Sequence, residues 1–253
     1  MLSFSDADVQ QLFAIYMWPF MRCLAMVQTA PVFSHRAIPQ RVKLALSFIL
    51  AVIIGPTVGA QSVVDPFSGA GILMVIQQFI VGASIGFGLR VVFAAFELAG
   101  DLIGLQMGLG FASFLDPTRN APSPLLATFL MLIATLVFMS IDGHLTLIVT
   151  LVESFNTIPV GPSPLAAIDW MRMAHLGTLV FSAGVQLALP VMGSVLMLNI
   201  ALGFISRSAP QLSIFNIGFA ITLIAGMLAL WLTLGSMAGP ISRITTMGVP
   251  YLK

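Results

Sequence analysis

From residue 66 to 89 the chain has no charged side chain, and from 120 to 141 it has none again. Stretches of this length and polarity suit the hydrocarbon of a bilayer, where no water satisfies a free N–H or C=O. The backbone must then satisfy itself, and a helix does so within one segment. The two-residue alternation of a membrane barrel strand is missing, which leaves an all-α, polytopic membrane protein as the fold class. Composition agrees: 58% of the 253 residues are hydrophobic and 8% are charged, against about a quarter charged in soluble domains. Mean hydropathy is +1.05.

The apolar pattern predicts helices near residues 9–30, 42–59, 70–98, 99–112, 124–153, 166–206 and 212–238. Proline-bearing breaks fall around 31–41, 56–69, 116–124 and 156–164. That amounts to roughly six long apolar helices in a single membrane domain over residues 1–253, with no linker, composition shift or repeat to divide it. Ten Lys or Arg against nine Asp or Glu give a net charge of +1, so no basic field exists to gather nucleic acid. Partners are expected in the membrane. The opening MLSFSDAD has two Asp and no cation, the wrong start for a cleaved signal peptide, so the first apolar segment is expected to be retained. The loop SHRAIPQRVK, with Arg36, Arg41 and Lys43, is the short loop richest in cations and is expected in the cytoplasm. Arg207 then marks a second cytoplasmic turn and Asp65 an external one, and about six crossings place both termini outside.

Charges interrupt these spans at Arg22, Arg90, Glu97, Asp101, Asp142 and His144. A full charge at bilayer depth costs about 2.5–3.5 kcal/mol on insertion scales, so each needs a partner, water or a place outside lipid. Arg90, Glu97 and Asp101 are spaced seven and four apart, which stacks them on one helical face and crowds two carboxylates together. Either one carboxyl is protonated, or a cation from elsewhere, such as another chain, meets the stripe, or residues 97–108 protrude into water. Gly100, Gly104 and Gly108 follow at intervals of four, the small-xxx-small spacing of closely packed membrane helices; Gly82 with Gly86 is a weaker instance. Met17, Met21 and Met26 share a face of the first helix, and Pro190 is expected to kink the helix that contains it.

Enzyme signatures are missing. Lone Cys23 excludes an intrachain disulfide and a cysteine metal cluster, and is expected to pack as a small hydrophobe. Ser84 in GASIG fits G-x-S-x-G only by chance, because no strand precedes it and no His and acid complete a triad. Asp142-Gly143-His144 reads better as a helix break than as a proton relay or metal site. No catalytic, metal-binding or cofactor-binding residue is expected.

The segment GLGFASFLDPTRNAPSP, residues 108–124, combines two phenylalanines with two glycines, three prolines and an Asp-Pro step between two apolar segments. Proline and glycine at this density oppose a continuous helix, and the phenylalanines oppose an ordinary solvated turn.

Read together, the residues resemble the FliR family, the flagellar export-gate membrane proteins of bacteria and their counterparts in virulence type III secretion. The likeness runs through Arg22, APVF at 30–33, Pro39 with RVKLAL at 41–46, AGDLIGLQMGL at 99–109, Asp116-Pro117, Gly143-His144, Ser154-Phe155 with Pro159, and LGFISRSAPQLSIF at 202–215. The SRSAPQLSIF run is the more flagellar in character. After Ile217-Gly218-Phe219 the family usually has a Pro and then a Lys where this chain has Ala220 and Thr222, and the tail past Gly239 is short.

The resemblance implies a structural subunit that assembles with FliP and FliQ, beside FlhB and FlhA, in the bacterial inner membrane at the base of the flagellar basal body. Unfolded flagellar proteins would leave the cytoplasm through the assembly. It also implies a FliP-like half over about residues 1–160, a FliQ-like half over 161–253, and helices packed as hairpins. A pore plug is implied over residues 108–124, with Gly108, Gly110, Phe111, Phe114, Asp116 and Pro117. Arg22, Arg90, Glu97, Asp101, His144 and Arg207 become candidate contacts with neighbouring subunits, and Gly100, Gly104 and Gly108 candidate packing positions. The rival reading, a secondary transporter coupling a small solute to protons through Asp142, His144 and Glu97, calls for an inverted repeat, and none is visible.

Overall fold

A computed structural model describes residues 6–58, 64, 68–109, 125–161, 170–208 and 218–248. Among them seven α-helices follow in order: α1 Asp6–Thr29, α2 Gln40–Val58, α3 Gly69–Gln106, α4 Leu125–Ser140, α5 Gly143–Thr157, α6 Trp170–Ser208 and α7 Phe219–Gly248. The all-α expectation holds, and the borders change in two informative places. The segments expected at 70–98 and 99–112 are one helix of 38 residues, because Gly100 is held by packing and does not break the chain. Conversely, the helix expected over 124–153 is divided between α4 and α5 at Asp142, whose φ of 55° is left-handed. Asp tolerates that conformation better than most residues, and its carbonyl accepts the first helical N–H groups of α5, from Leu145 at 3.0 Å and Thr146 at 3.1 Å.

Among the described residues, three helical segments are long and apolar enough to cross a membrane: Gln40–Val58, Gly69–Gln106 and Gly177–Arg207. There are four if α4 and α5 together count as one broken span. This is fewer than the six expected, and helix length explains part of the difference. At 1.5 Å per residue α3 is about 57 Å long, roughly twice the hydrocarbon thickness of about 30 Å. At ordinary tilts of about 20° nearly half of α3 lies outside that layer, so one helix accounts for sequence that hydropathy alone assigns to two crossings.

The chain forms two compact units. Unit 1 comprises residues 1–91, 142–176 and 246–253; unit 2 comprises 92–141 and 177–245. In unit 1, α1 and α2 are joined by a turn that Lys43 ties down: its Nζ donates to the Ser34 carbonyl at 2.8 Å, and the residue is buried. Lys43 is therefore turned inward, unlike exposed Arg36 and Arg41 of the same cationic loop. Phe20 and Phe48 meet edge to face at 6.3 Å, and Trp18, Cys23, Met26, Ile54, Ile85 and Leu151 fill the interior. In unit 2 the second half of α3 is central. Phe93 meets Phe96 at 6.2 Å and Phe138 of α4 at 5.8 Å, both edge to face, a favoured geometry for aromatic pairs. Pro190 lies inside α6, which continues through it as one helix.

Candidate functional site

In unit 1, α1 and α3 approach until backbone meets backbone. Gln78, Gly82 and Gly86 recur at intervals of four and so line one face of α3. A Cβ at Gly82 would collide with the carbonyl of Arg22, and one at Gly86 with Thr29 Oγ1 and, at 2.8 Å, with the Met26 carbonyl. With the helices this close, the Arg22 side chain lies over Gln78, one turn away from Gly82. Gln78 Oε1 accepts from Arg22 Nε at 2.8 Å and from Nη2 at 2.6 Å. Nη1 donates to Ser154 Oγ of α5 at 2.9 Å, and Nη2 donates also to the carbonyl of Ile158, just past the end of α5, at 2.9 Å. The guanidinium carbon sits 3.8 Å from the centroid of the Phe155 ring.

Both Arg22 and Gln78 are wholly buried. An unpaired charge there would be prohibitive, and the arrangement answers it with neutral acceptors, a ring face and the carbonyl end of a helix, where positive charge is favoured. Because Oε1 receives two donors, the orientation of the Gln78 amide is determined, and its buried Nε2 has no hydrogen-bond partner among the described residues. Arg22, expected as a candidate intersubunit contact, makes these bonds within unit 1 and ties α1 to α3 and α5.

In unit 2 the end of α3 is built with equal care. Gly108 has φ 79°; its N–H donates to the Leu105 carbonyl at 3.0 Å, and that of Leu109 to the Gly104 carbonyl at 3.0 Å. This pair of bonds is the Schellman motif that ends a helix on a left-handed glycine. Met107, just before it, is buried, and a Cβ at Gly226 of α7 would fall 2.6–2.8 Å from its Cγ, Cε and Sδ. Gly100 lies against the backbone of Ala127 in the first turn of α4, whereas a Cβ at Gly104 would find only Leu126 Cδ1, at 3.9 Å. The three glycines expected to form one packing stripe therefore have three environments: a backbone contact at Gly100, ordinary space at Gly104 and a helix stop at Gly108. The pair that looked weaker in sequence, Gly82 and Gly86, makes a tight backbone contact in unit 1.

The remaining charges lie elsewhere. Arg90, Glu97 and Asp101 are exposed on α3 and Arg207 is exposed in the last turn of α6, so none of the four is buried within the chain. His144 is half-buried, with Nδ1 buried and without a hydrogen-bond partner among the described residues, and Asp142 is exposed. No group of three or more His, Cys, Asp or Glu suited to hold a metal occurs among the described residues. Gly110, Phe111, Phe114, Asp116 and Pro117 lie outside them. The partners of Arg22 were missed in sequence, although one signal pointed to them: Gln77-Gln78 is an amide pair in a 24-residue stretch with no charge.

Residues 13–247 match the family described as bacterial export proteins, family 1. Flagellar biosynthetic protein FliR of Pectobacterium carotovorum subsp. carotovorum is 42% identical over 234 residues, covering 92% of this chain and 89% of its own length. The chain belongs to the FliR family. FliR of Escherichia coli strain K12 is 43% identical over 213 residues, 84% of this chain and 81% of its own. FliR of the distant Bacillus subtilis strain 168 is still 28% identical over 227 residues, 88% and 87% of the two chains. The FliR likeness thus covers both compact units, with Arg22, Gln78, Met107 and Gly226 all inside the matched span.

Proposed function

We propose that this chain is a structural, non-enzymatic subunit of a flagellar type III protein export gate in the bacterial inner membrane, with its N-terminus outside. It assembles with FliP and FliQ, beside FlhB and FlhA, and unfolded flagellar proteins pass through the assembly. The observation that carries this reading is the family match over residues 13–247. The apolar spans support the membrane part of the proposal. The resemblance supplies the rest, including FliP-like and FliQ-like halves.

Within the gate, the segment from Gly108 to Pro124 acts as a plug. Phe111 and Phe114 seal a pore closed to ions at rest, Gly110 lets the segment move aside, and Asp116-Pro117 turns it. Support for its starting point comes from Gly108, whose helix stop releases the chain at a position held by buried Met107. Exposed Glu97 and Asp101 meet cations on neighbouring subunits. The test is conductance: with residues 110–117 trimmed in the assembled complex, resting leak of small ions rises. An unchanged leak refutes the plug. Glu97→Ala and Asp101→Ala lower the yield of complex, and unchanged yield in both returns these carboxylates to water.

A further inference from the structure

Between Asp8 and Asp65 the chain has no acidic residue, yet it has four cations, Arg22, Arg36, Arg41 and Lys43. Two of them are used inside the fold: Arg22 in the tie to α3 and α5, and Lys43 on the Ser34 carbonyl. The other two, Arg36 and Arg41, are exposed, and their side chains form no hydrogen bond or ion pair among the described residues. The turn that carries them is fixed by its own bonds. Ser34 N–H donates to the Ala30 carbonyl at 2.8 Å, Ile38 N–H to the His35 carbonyl at 3.1 Å, and Gln28 Nε2 to Gln40 Oε1 at 2.9 Å. Arg41 stands in the first turn of α2, which holds no acidic residue, and Arg36 shortly precedes it. Both therefore lie at the positive end of the helix dipole, where an anion is favoured and a cation is not.

The surface changes abruptly after Arg41. From Val42 to Ile53 the exposed residues of α2, among them Val42, Phe48, Ile49 and Ile53, are all hydrocarbon, and the two polar residues of that stretch, Lys43 and Ser47, are buried. The stretch rises about 18 Å, a little more than one leaflet of a bilayer whose core is about 30 Å thick. No glycine notches this face and no polar side chain on it offers another helix a bond, so it suits acyl chains better than a packed protein helix. We propose that Arg36 and Arg41 bind the phosphate of an anionic glycerophospholipid, whose acyl chains run along α2 from Val42 to Ile53. The complementarity is of charge at one end and of hydrocarbon at the other. Each arginine at a membrane surface attracts anionic lipid, whereas a zwitterionic lipid, whose ammonium offsets its phosphate, gains little from either. The site requires α2 to lie in a bilayer and does not depend on the gate-subunit reading.

The experiment places a photo-crosslinking residue at Val42, and as a reference at exposed Leu132 of α4, in the full chain reconstituted in vesicles of phosphatidylglycerol and phosphatidylcholine in equal parts. Mass spectrometry of the adducts reads the ratio of the two lipids at each position. At Val42 phosphatidylglycerol is expected to exceed phosphatidylcholine roughly three-fold or more, and at Leu132 the two are expected in equal amounts. The double variant Arg36→Gln with Arg41→Gln lowers the Val42 ratio to that at Leu132, with the melting temperature unchanged because neither arginine side chain bonds within the fold. High salt lowers it in the unaltered chain too, since exposed charges are screened. Equal lipid ratios at Val42 and Leu132 in the unaltered chain, or a Val42 ratio that the double variant retains, overturns the proposal. So does capture of protein alone from Val42 when the chain is photolysed in cells.

Discussion

Arg22 and Gln78, fifty-six positions apart, share a single oxygen: Gln78 Oε1 accepts from both Nε and Nη2 of the arginine. A cation tied into α3 and α5 in this way is an obligate partner, since both residues are wholly buried. Gln78→Leu leaves two buried donors of a charged group unpaired, and at about 1.5 kcal/mol or more for each such bond it is expected to cost about 3 kcal/mol. Arg22→Lys cannot reproduce the fork and is expected to destabilise as well. The double variant Arg22→Leu with Gln78→Leu loses less than the sum, because no buried charge remains. Unfolding of the detergent-purified chain, followed by circular dichroism, measures the four arms of the cycle: the unaltered chain, Arg22→Leu, Gln78→Leu and the double variant.

Gly82 and Gly104 are both glycines of α3, with opposite expected responses to alanine. At Gly82 the new methyl meets the Arg22 carbonyl, which is backbone and cannot step aside, so α1 is forced away from α3 and the Arg22 bonds stretch. Gly82→Ala is expected to lower the melting temperature strongly. At Gly104 the methyl gains ordinary contact with Leu126, and helix propensity favours alanine by about 1 kcal/mol, so Gly104→Ala is expected to be neutral or stabilising. Equal losses at both sites would show that sequence spacing, rather than the close approach, controls these positions.

Met107 fills the space over Gly226, so the two positions are coupled. Met107→Ala alone creates a cavity and is expected to cost about 2–5 kcal/mol. Gly226→Ala alone pushes on the methionine along its length and is also destabilising. Introduced together, the alanine methyl occupies part of the vacated space, so Met107→Ala costs less in the Gly226→Ala background than in the unaltered chain. Additive losses in thermal unfolding would separate the two sites.

Much of this molecule is legible from residue type alone. A stretch such as 66–89 must become helix because hydrocarbon supplies no partner for its backbone, and that requirement is local. Membrane character, helical class and FliR kinship follow without coordinates. Helix borders were less legible: Gly100 sits inside α3, while Asp142 divides α4 from α5. Whether a glycine or an aspartate ends a helix depends on what packs against it, and the packing partner is distant in sequence.

The tertiary structure alone decided which glycines carry contacts and where the charges go. Spacing ranked the series Gly100, Gly104 and Gly108 above Gly82 and Gly86, but an interval of four states only that residues share a face, not that another backbone lies on it. Arg22 stood among six costly charges in sequence, and only the fold joined it to Gln78, Ser154 and Ile158 while leaving Arg90, Glu97, Asp101 and Arg207 exposed. Hydropathy sums over neighbours in the chain. Satisfaction of a buried cation and the fit of one helix against another depend on neighbours in space, here 56 and 132 positions away.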